Sequence, residues 1–211
     1  MKFIAISQRI IENESYAEIR EALSVEWGEF FNAHLQGFLP LPLSYAIPFA
    51  TYAQRLGKSV GGVILSGGND LESLNPNPIS KRRDIYEGEI IEHCIKESLP
   101  MLGVCRGTQR IAEYFGATLG KLQGHIGVHS VAESQSYKEF MVNSFHNYGI
   151  LALQDSLEIL VKAQDNSIEA FKHKVKPIFG LMWHIERESG MENDRIFQEW
   201  LKVVNQNFYK I

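Results

Sequence analysis

The chain has 211 residues, 45% hydrophobic and 22% charged, a balance that excludes intrinsic disorder and collagen-like or fibrous proteins. At roughly 150 residues per domain the length predicts one domain over 1–211, with a core large enough to need no disulfide or metal staple. A formal net charge of -4 gives no blanket attraction to nucleic acid or anionic lipid, so neither is an expected partner. In chain order, the apolar run 2–7 predicts a first strand rather than a signal peptide, which needs a longer apolar core. Residues 16–31 carry Ile19, Leu23, Trp27, Phe30 and Phe31 at spacings of three and four and predict an amphipathic helix. Phe38–Leu43 predicts a second strand, 49–56 a short helix stopped at Gly57, and 62–65 a third strand running into Ser66-Gly67-Gly68-Asn69-Asp70. A helix over 81–98, a strand over 100–104 and a helix over 106–115 closed by Gly116 complete the first half. Strands alternating with helices at this spacing are the signature of an α/β chain with a mostly parallel sheet covered on both faces. Beyond Gly116 the pattern changes to short strands with tight connections (128–132, 140–143, 157–163, 168–171 and 178–183) before a closing helix over 193–208.

Cys94 and Cys105 are too few for a disulfide framework and read as thiols of a reducing compartment, the cytoplasm. The stretch between Glu29 and Arg55 carries no formal charge and is long enough to span a bilayer. Pro40, Pro42 and Pro48 interrupt it, so it reads as an extended strand and a loop, with no membrane partner.

Gly103-Val104-Cys105-Arg106-Gly107 sets a cysteine between glycines where an apolar strand gives way to a helix. Such a turn is tight enough to demand neighbours without side chains and pushes its central residue out above the sheet edge. The sulfur lies where the positive end of the helix dipole favours an anion, and the backbone N–H of Arg106 has no intrahelical acceptor and can meet an oxyanion. The same pattern also fits an inert apolar residue capping a buried strand. Cys94, inside a predicted helix, reads as structural.

A cysteine nucleophile needs a base and the base an orienting group. His184 ends an apolar strand and Glu186 follows two residues later, on the same side of an extended segment. The pair suits an imidazole held by a carboxylate, or a surface ion pair. His125 and His129 are four apart, but Gly124 and Gly127 oppose a helix and no third ligand is apparent, so no metal is expected. The Gly67-Gly68 turn follows a strand end on the same rim as Cys105 and can aim backbone amides into a pocket, or be a bare turn. It has the spacing of neither a P-loop nor a dinucleotide fingerprint, so no cofactor is implied.

Five ordered motifs carry a resemblance: Leu65-Ser66-Gly67-Gly68-Asn69-Asp70; Arg83-Asp84-x-x-Glu87; 100–109 around Cys105-Arg106-Gly107-Thr108-Gln109; Val142-Asn143-Ser144-Phe145-His146; and Trp183-His184-Ile185-Glu186. In order and spacing they resemble the class I glutamine amidotransferase superfamily, and the Cys-Arg-Gly-x-Gln and Arg-Asp-x-x-Glu versions resemble its γ-glutamyl hydrolase branch. The resemblance implies a flavodoxin-like three-layer sandwich with a smaller antiparallel β portion in the C-terminal half. It implies a catalytic triad of Cys105, His184 and Glu186, with an oxyanion hole from the backbone of Gly67, Gly68 and Arg106. It also implies that Gln109, Ser144, Phe145 and His146 bind substrate, with no cofactor and no metal. The implied reaction is hydrolysis of a small γ-glutamyl amide through a glutamyl thioester. The substrate it points to is nucleotide-linked, γ-glutamyl-CDP-amidate of capsule modification. A γ-glutamyl-γ-aminobutyrate-type hydrolase and a glutaminase component feeding a separate synthase are the alternatives, and a non-catalytic binding protein is a third. Lys81-Arg82-Arg83, cations at the start of a predicted helix, oppose its dipole and are candidates for contact with a pyrophosphate, or are simply solvated. The chain departs from the branch at Ile185, where proline is usual, and at Asn147-Tyr148, where His-Gln is usual.

Overall fold

The computed structural model describes residues 1–209. Its strands and helices run β1 (Phe3–Ile6), β2 (Arg9–Glu12), β3 (Ile19–Ala22), α1 (Val25–His34), β4 (Leu39–Pro42), α2 (Phe49–Leu56), β5 (Val60–Leu65), α3 (Pro78–Glu97), β6 (Met101–Val104) and α4 (Arg106–Tyr114). The second half continues as β7 (Thr118–Lys121), β8 (Ile126–Glu133), β9 (Glu139–Phe145), β10 (Tyr148–Ala152), β11 (Leu157–Ala163), β12 (Ile168–His173), β13 (Ile178–Leu181) and α5 (Arg195–Tyr209).

Eleven strands form one sheet in the order β4-β1-β5-β6-β13-β12-β11-β8-β9, with β10 and β7 joined to it through β12. The pairs β4–β1, β1–β5, β5–β6 and β6–β13 are parallel. From β13 onward the pairing is antiparallel, so β13 is the seam between the two regimes. The expected class is therefore observed: a parallel block flanked by helices, with the antiparallel strands in the C-terminal half. Parallel strands must be covered on both faces, and β5 and β6 are accordingly buried along their whole length. One face is covered by α1 and α5 through Trp27, Phe30, Phe31, Phe197 and Trp200, the other by α2, α3 and α4 through Phe49, Ile90, Ile91 and Ile111.

The helix expected over 16–31 is half a hairpin. β2 and β3 pair antiparallel over Arg9–Glu12 and Ile19–Ala22, and the helix begins only at Val25. Asn13 turns the hairpin by accepting from the Ser15 backbone and hydroxyl at 3.0 and 2.8 Å. α3 begins at Pro78, ahead of the expected Lys81, because Asn77 caps it by accepting from the Ser80 N–H at 2.8 Å. Strands β7 and β10 are additional to those predicted. Among the described residues no helix is long and apolar enough to cross a membrane.

Candidate active site

β6 and β13 are neighbours in register, Val104 opposite Leu181, so the segments leaving their carboxyl ends leave side by side. Cys105 follows one end and the bend to His184 follows the other. The turn at Cys105 is strained: φ is 51° and ψ -109°, a conformation L-residues avoid. It is fixed by the Cys105 N–H donating to the Leu181 carbonyl at 2.8 Å, and by the Cys105 carbonyl accepting from Thr108 and Gln109 at 3.0 and 3.1 Å. Only glycine fits at 107, where a Cβ would stand 2.0 Å from the Leu65 carbonyl oxygen. That close approach seats the start of α4 against the end of β5.

Gly67 lies between the sulfur-bearing turn and the imidazole. A Cβ there would be 2.8 Å from His184 Cε1 and 3.5 Å from Cys105 Cβ. His184 Nδ1 donates to Glu186 Oε1 at 2.7 Å, in a turn rather than the extended segment expected. With Nδ1 committed to the carboxylate, Nε2 is the nitrogen left for the sulfur. Burial pushes the His184 imidazolium down in pKa, but the hydrogen bonds to Cys105 and Glu186 outweigh it and raise the pKa to about 9. Cys105 is 6% exposed, His184 4% and Glu186 8%, so the three side chains meet in a largely water-excluded rim.

The peptides of the Ser66–Asn69 turn are oriented by Arg83. Its fully buried guanidinium donates to the Ser66 carbonyl at 2.7 Å, the Gly67 carbonyl at 3.1 Å and the Gly68 carbonyl. In a trans peptide the N–H points opposite the C=O, so holding the carbonyls of 66 and 67 on the Arg83 side turns the amides of Gly67 and Gly68 to the other. Arg83 itself is paired with Glu87 at 2.9 Å, and Glu87 also accepts from Arg106 and from Ser7 Oγ at 2.8 Å. Burial raises the Glu87 pKa, but the two guanidinium groups outweigh it and hold the carboxylate below the usual range. The Arg106 side chain thus serves this buried network, also reaching Asp84, while its backbone lies at the first helical position beside Cys105.

The cationic run therefore needs correction. Arg83 is saturated by carbonyls and Glu87 and has no surface to offer a pyrophosphate. Lys81 and Arg82 are exposed, but they stand a turn inside α3 rather than at its start. The cations beside the rim are others. The Arg187 guanidinium lies 4.3 Å over the Phe145 ring, which is itself 5.7 Å from the His184 ring. The Arg9 side chain lies across Gly68, where a Cβ would meet its Cδ at 2.8 Å.

Of the expected substrate contacts, Phe145 is 49% exposed beside His184 and Gln109 is buried, its Nε2 donating to the Tyr148 carbonyl at 2.7 Å. Ser144 is fully buried and its hydroxyl donates to the His125 carbonyl at 2.8 Å, leaving only its backbone for a ligand. His146 does not join the rim. It is buried in a separate cluster with His125, His129 and Glu169. Cys94 is wholly buried in α3 and burial pushes its thiol up, as suits a structural residue.

Sequence reasoning gives Asn143 no role, yet it holds the imidazole's backbone at both ends. Its Oδ1 accepts from the His184 N–H at 2.8 Å, and its Nδ2 donates to the His184 and Glu188 carbonyls at 3.0 and 2.9 Å. The signal was an asparagine inside a predicted strand, where an amide side chain needs partners. The arrangement offers a thiol at a strained strand–helix turn, a buried imidazole oriented by a carboxylate, and two backbone amides turned away from Arg83. That is the equipment for nucleophilic attack on a carbonyl.

This chain belongs to the class I glutamine amidotransferase family, whose model, described as "Glutamine amidotransferase class-I", matches residues 45–204. It is 49% identical over 205 residues to the γ-glutamyl-CDP-amidate hydrolase of Campylobacter jejuni, covering 97% of this chain and 100% of that one. It is 29% identical over 176 residues to a glutamine-hydrolysing GMP synthase subunit of Methanococcus aeolicus, covering 79% and 86% of the two chains. In fold it is similar to the crystal structure of a putative GMP synthase subunit from Thermoplasma acidophilum, with a TM-score of 0.69 at 19% identity over 98% of this chain and 96% of that one.

Proposed function

We propose that this chain is a cysteine hydrolase of γ-glutamyl amides, with γ-glutamyl-CDP-amidate as its substrate and glutamate and cytidine diphosphoramidate as its products. The observation that carries the chemistry is the meeting of Cys105, Gly67 and His184 at one rim, with Glu186 2.7 Å behind the imidazole. The leaving group rests on the likeness to the Campylobacter jejuni hydrolase over nearly the whole of both chains, and the capsule setting rests on the family resemblance alone.

In this reading His184 holds the proton drawn from Cys105, and the thiolate attacks the δ-carbonyl carbon of the γ-glutamyl group. The displaced electron pair rests on the carbonyl oxygen, which accepts from the amides of Gly67, Gly68 and Arg106. Collapse of this intermediate breaks the C–N bond as His184 Nε2 gives its proton to the leaving nitrogen. Water then attacks the thioester, His184 takes its proton, and glutamate departs as the thiolate is restored. Gln109 and the Ser144–Phe145 backbone hold the amino and carboxylate groups of the glutamyl moiety. A small-molecule substrate is the only partner this chemistry requires.

Purified protein assayed against γ-glutamyl-CDP-amidate, γ-glutamyl-γ-aminobutyrate and glutamine tests the reading. Preferred turnover of the nucleotide conjugate without any second protein is expected, together with a glutamyl adduct on Cys105 by mass spectrometry. Equal rates on all three would remove the nucleotide assignment. Glutamine hydrolysis appearing only with a synthase would replace it with an ammonia-supplying role. Turnover retained in Cys105→Ala would overturn the nucleophile.

A further inference from the structure

Away from the triad, three imidazoles converge on one buried carboxylate. His125 precedes β8, His129 lies within it, His146 follows β9, and Glu169 comes from β12. His125 Nδ1 stands 3.2 Å from Glu169 Oε1, and the Nε2 atoms of His129 and His146 each stand 3.7 Å from it. Glu169 is fully buried, and His125 and His146 are each 5% exposed. Neither Glu169 oxygen has a hydrogen-bond partner, nor do His125 Nδ1 or both ring nitrogens of His129 and of His146. Native interiors satisfy nearly all such atoms. Buried imidazoles and a carboxylate facing one another at these separations are arranged as ligands of a shared cation would be.

The outer side of His125 narrows what that cation is. Its Nε2 is 3.0 Å from Asp165 Oδ2, so a carboxylate holds the outer nitrogen while Nδ1 faces Glu169. A histidine backed by a carboxylate on its far nitrogen is the arrangement that orients metal-bound imidazoles. The spacing also fits. Ligand atoms of His125, His146 and Glu169 all lie within 4.8 Å of one another. Bonds of ~2.0–2.1 Å to a tetrahedral ion place its ligands roughly 3.3–3.5 Å apart, close to the separations from Glu169. From the sequence, His125 and His129 lack a third ligand; the fold supplies His146 and Glu169.

We propose that His125, His146 and Glu169 bind one zinc-class divalent ion, separate from the Cys105 site. All three ligands are buried and none belongs to the Cys105 rim, so the ion is structural. It ties the β8–β9 hairpin to β12. Because Ser144 Oγ and the His146 N–H both donate to the His125 carbonyl, at 2.8 and 3.1 Å, it also fixes the Ser144–Phe145 edge beside His184.

The test uses the full chain, stripped by chelator and then titrated with Zn²⁺ or Co²⁺ under reducing conditions. About one equivalent of zinc per chain is expected, with a Tm that rises with metal concentration. Co²⁺ should give the visible bands of a tetrahedral nitrogen–oxygen site without thiolate charge transfer. Cys105→Ser should keep the equivalent; His146→Gln and Glu169→Gln, checked for fold by circular dichroism, should lose it. No stoichiometric uptake by the wild-type chain would overturn the site even if neither variant folds. So would uptake lost in Cys105→Ser, or retained in folded His146→Gln and Glu169→Gln.

Discussion

His184 is where residue-scale physics sets the proposed chemistry. Its pKa is raised to about 9 from an ordinary imidazole value, because Cys105 and Glu186 outweigh burial. A raised folded-state value means the stabilisation is fully present below the unfolded value of ~6.5 and is lost as pH climbs through about 9. The same proton is the one the leaving nitrogen needs. Turnover is therefore expected to fall above about pH 9 in the pH profile of kcat/KM. Glu186→Gln removes one of the two groups holding the proton. It should move that limb toward neutrality and lower kcat by ~10²–10⁴-fold. A limb that stays in place in the variant would contradict the orienting role of Glu186. Asn143 acts one step further back, through the backbone of His184 and Glu188. Asn143→Ala should lower kcat by ~10²-fold with little change in KM, since a displaced imidazole costs geometry rather than binding. An equal rise in KM would point to a substrate contact instead.

At the scale of elements, legibility in the sequence follows burial. β5 and β6 are read from their unbroken apolar runs, and α2 from its glycine stop, because each is buried or capped in the way its sequence announces. The β2–β3 hairpin is missed because the two-stranded ribbon buries only Ile10, too little to impose period two. Ile11 and Ile19 are 43% and 53% exposed, and Ile19, Leu23 and Trp27 happen to fall at helical spacing. The start of α3 was legible in the pair Asn77-Pro78, a cap followed by a first-turn proline, which the apolar phase of Ile85 to Ile95 masks. No spacing rule reveals that Arg83 is an inward brace, since its acceptors are backbone carbonyls of a distant loop. Arg83→Met takes one of two guanidinium partners from Glu87 and leaves three carbonyls without their donor in the interior, and should cost ~3–5 kcal/mol in denaturant unfolding. The hairpin carries Arg9 across Gly68 at the proposed oxyanion turn, where the proposed function would have it meet the pyrophosphate of the nucleotide conjugate. Losing one charge-assisted contact to a phosphate is worth ~1.5–3 kcal/mol. Arg9→Ala should therefore raise KM for the nucleotide conjugate roughly ten- to hundredfold, leaving glutamine hydrolysis unchanged. Parallel losses on both substrates would remove Arg9 from the leaving-group site.

Across the whole molecule, the sheet separates two apolar cores, and the proposed site is not shared equally between them. Cys105, Trp183 and Ile185 pack into the core under α1 and α5 with Phe197 and Trp200. The opposite core, under α2, α3 and α4, holds Ile91, Cys94 and Ile111. Trp200 and Ile91 are both fully buried, so a large-to-small change at either should lower stability by comparable amounts, ~3–5 kcal/mol for Trp200→Ala and ~2–5 kcal/mol for Ile91→Ala. Their effects on turnover should differ. A cavity at Trp200 loosens the core that also holds Trp183 and Ile185, and a shift of the 183–185 bend is a shift of the imidazole relative to the sulfur. A cavity at Ile91 opens against the far side of the sheet, with the β5 and β6 strands between it and the bend. Measured where both variants remain folded, kcat should drop for Trp200→Ala and stay near wild type for Ile91→Ala. The sheet would then be acting as a rigid partition, transmitting little strain from one face to the other. Equal losses of kcat would mean that the rim depends on global stability rather than on the face that carries it.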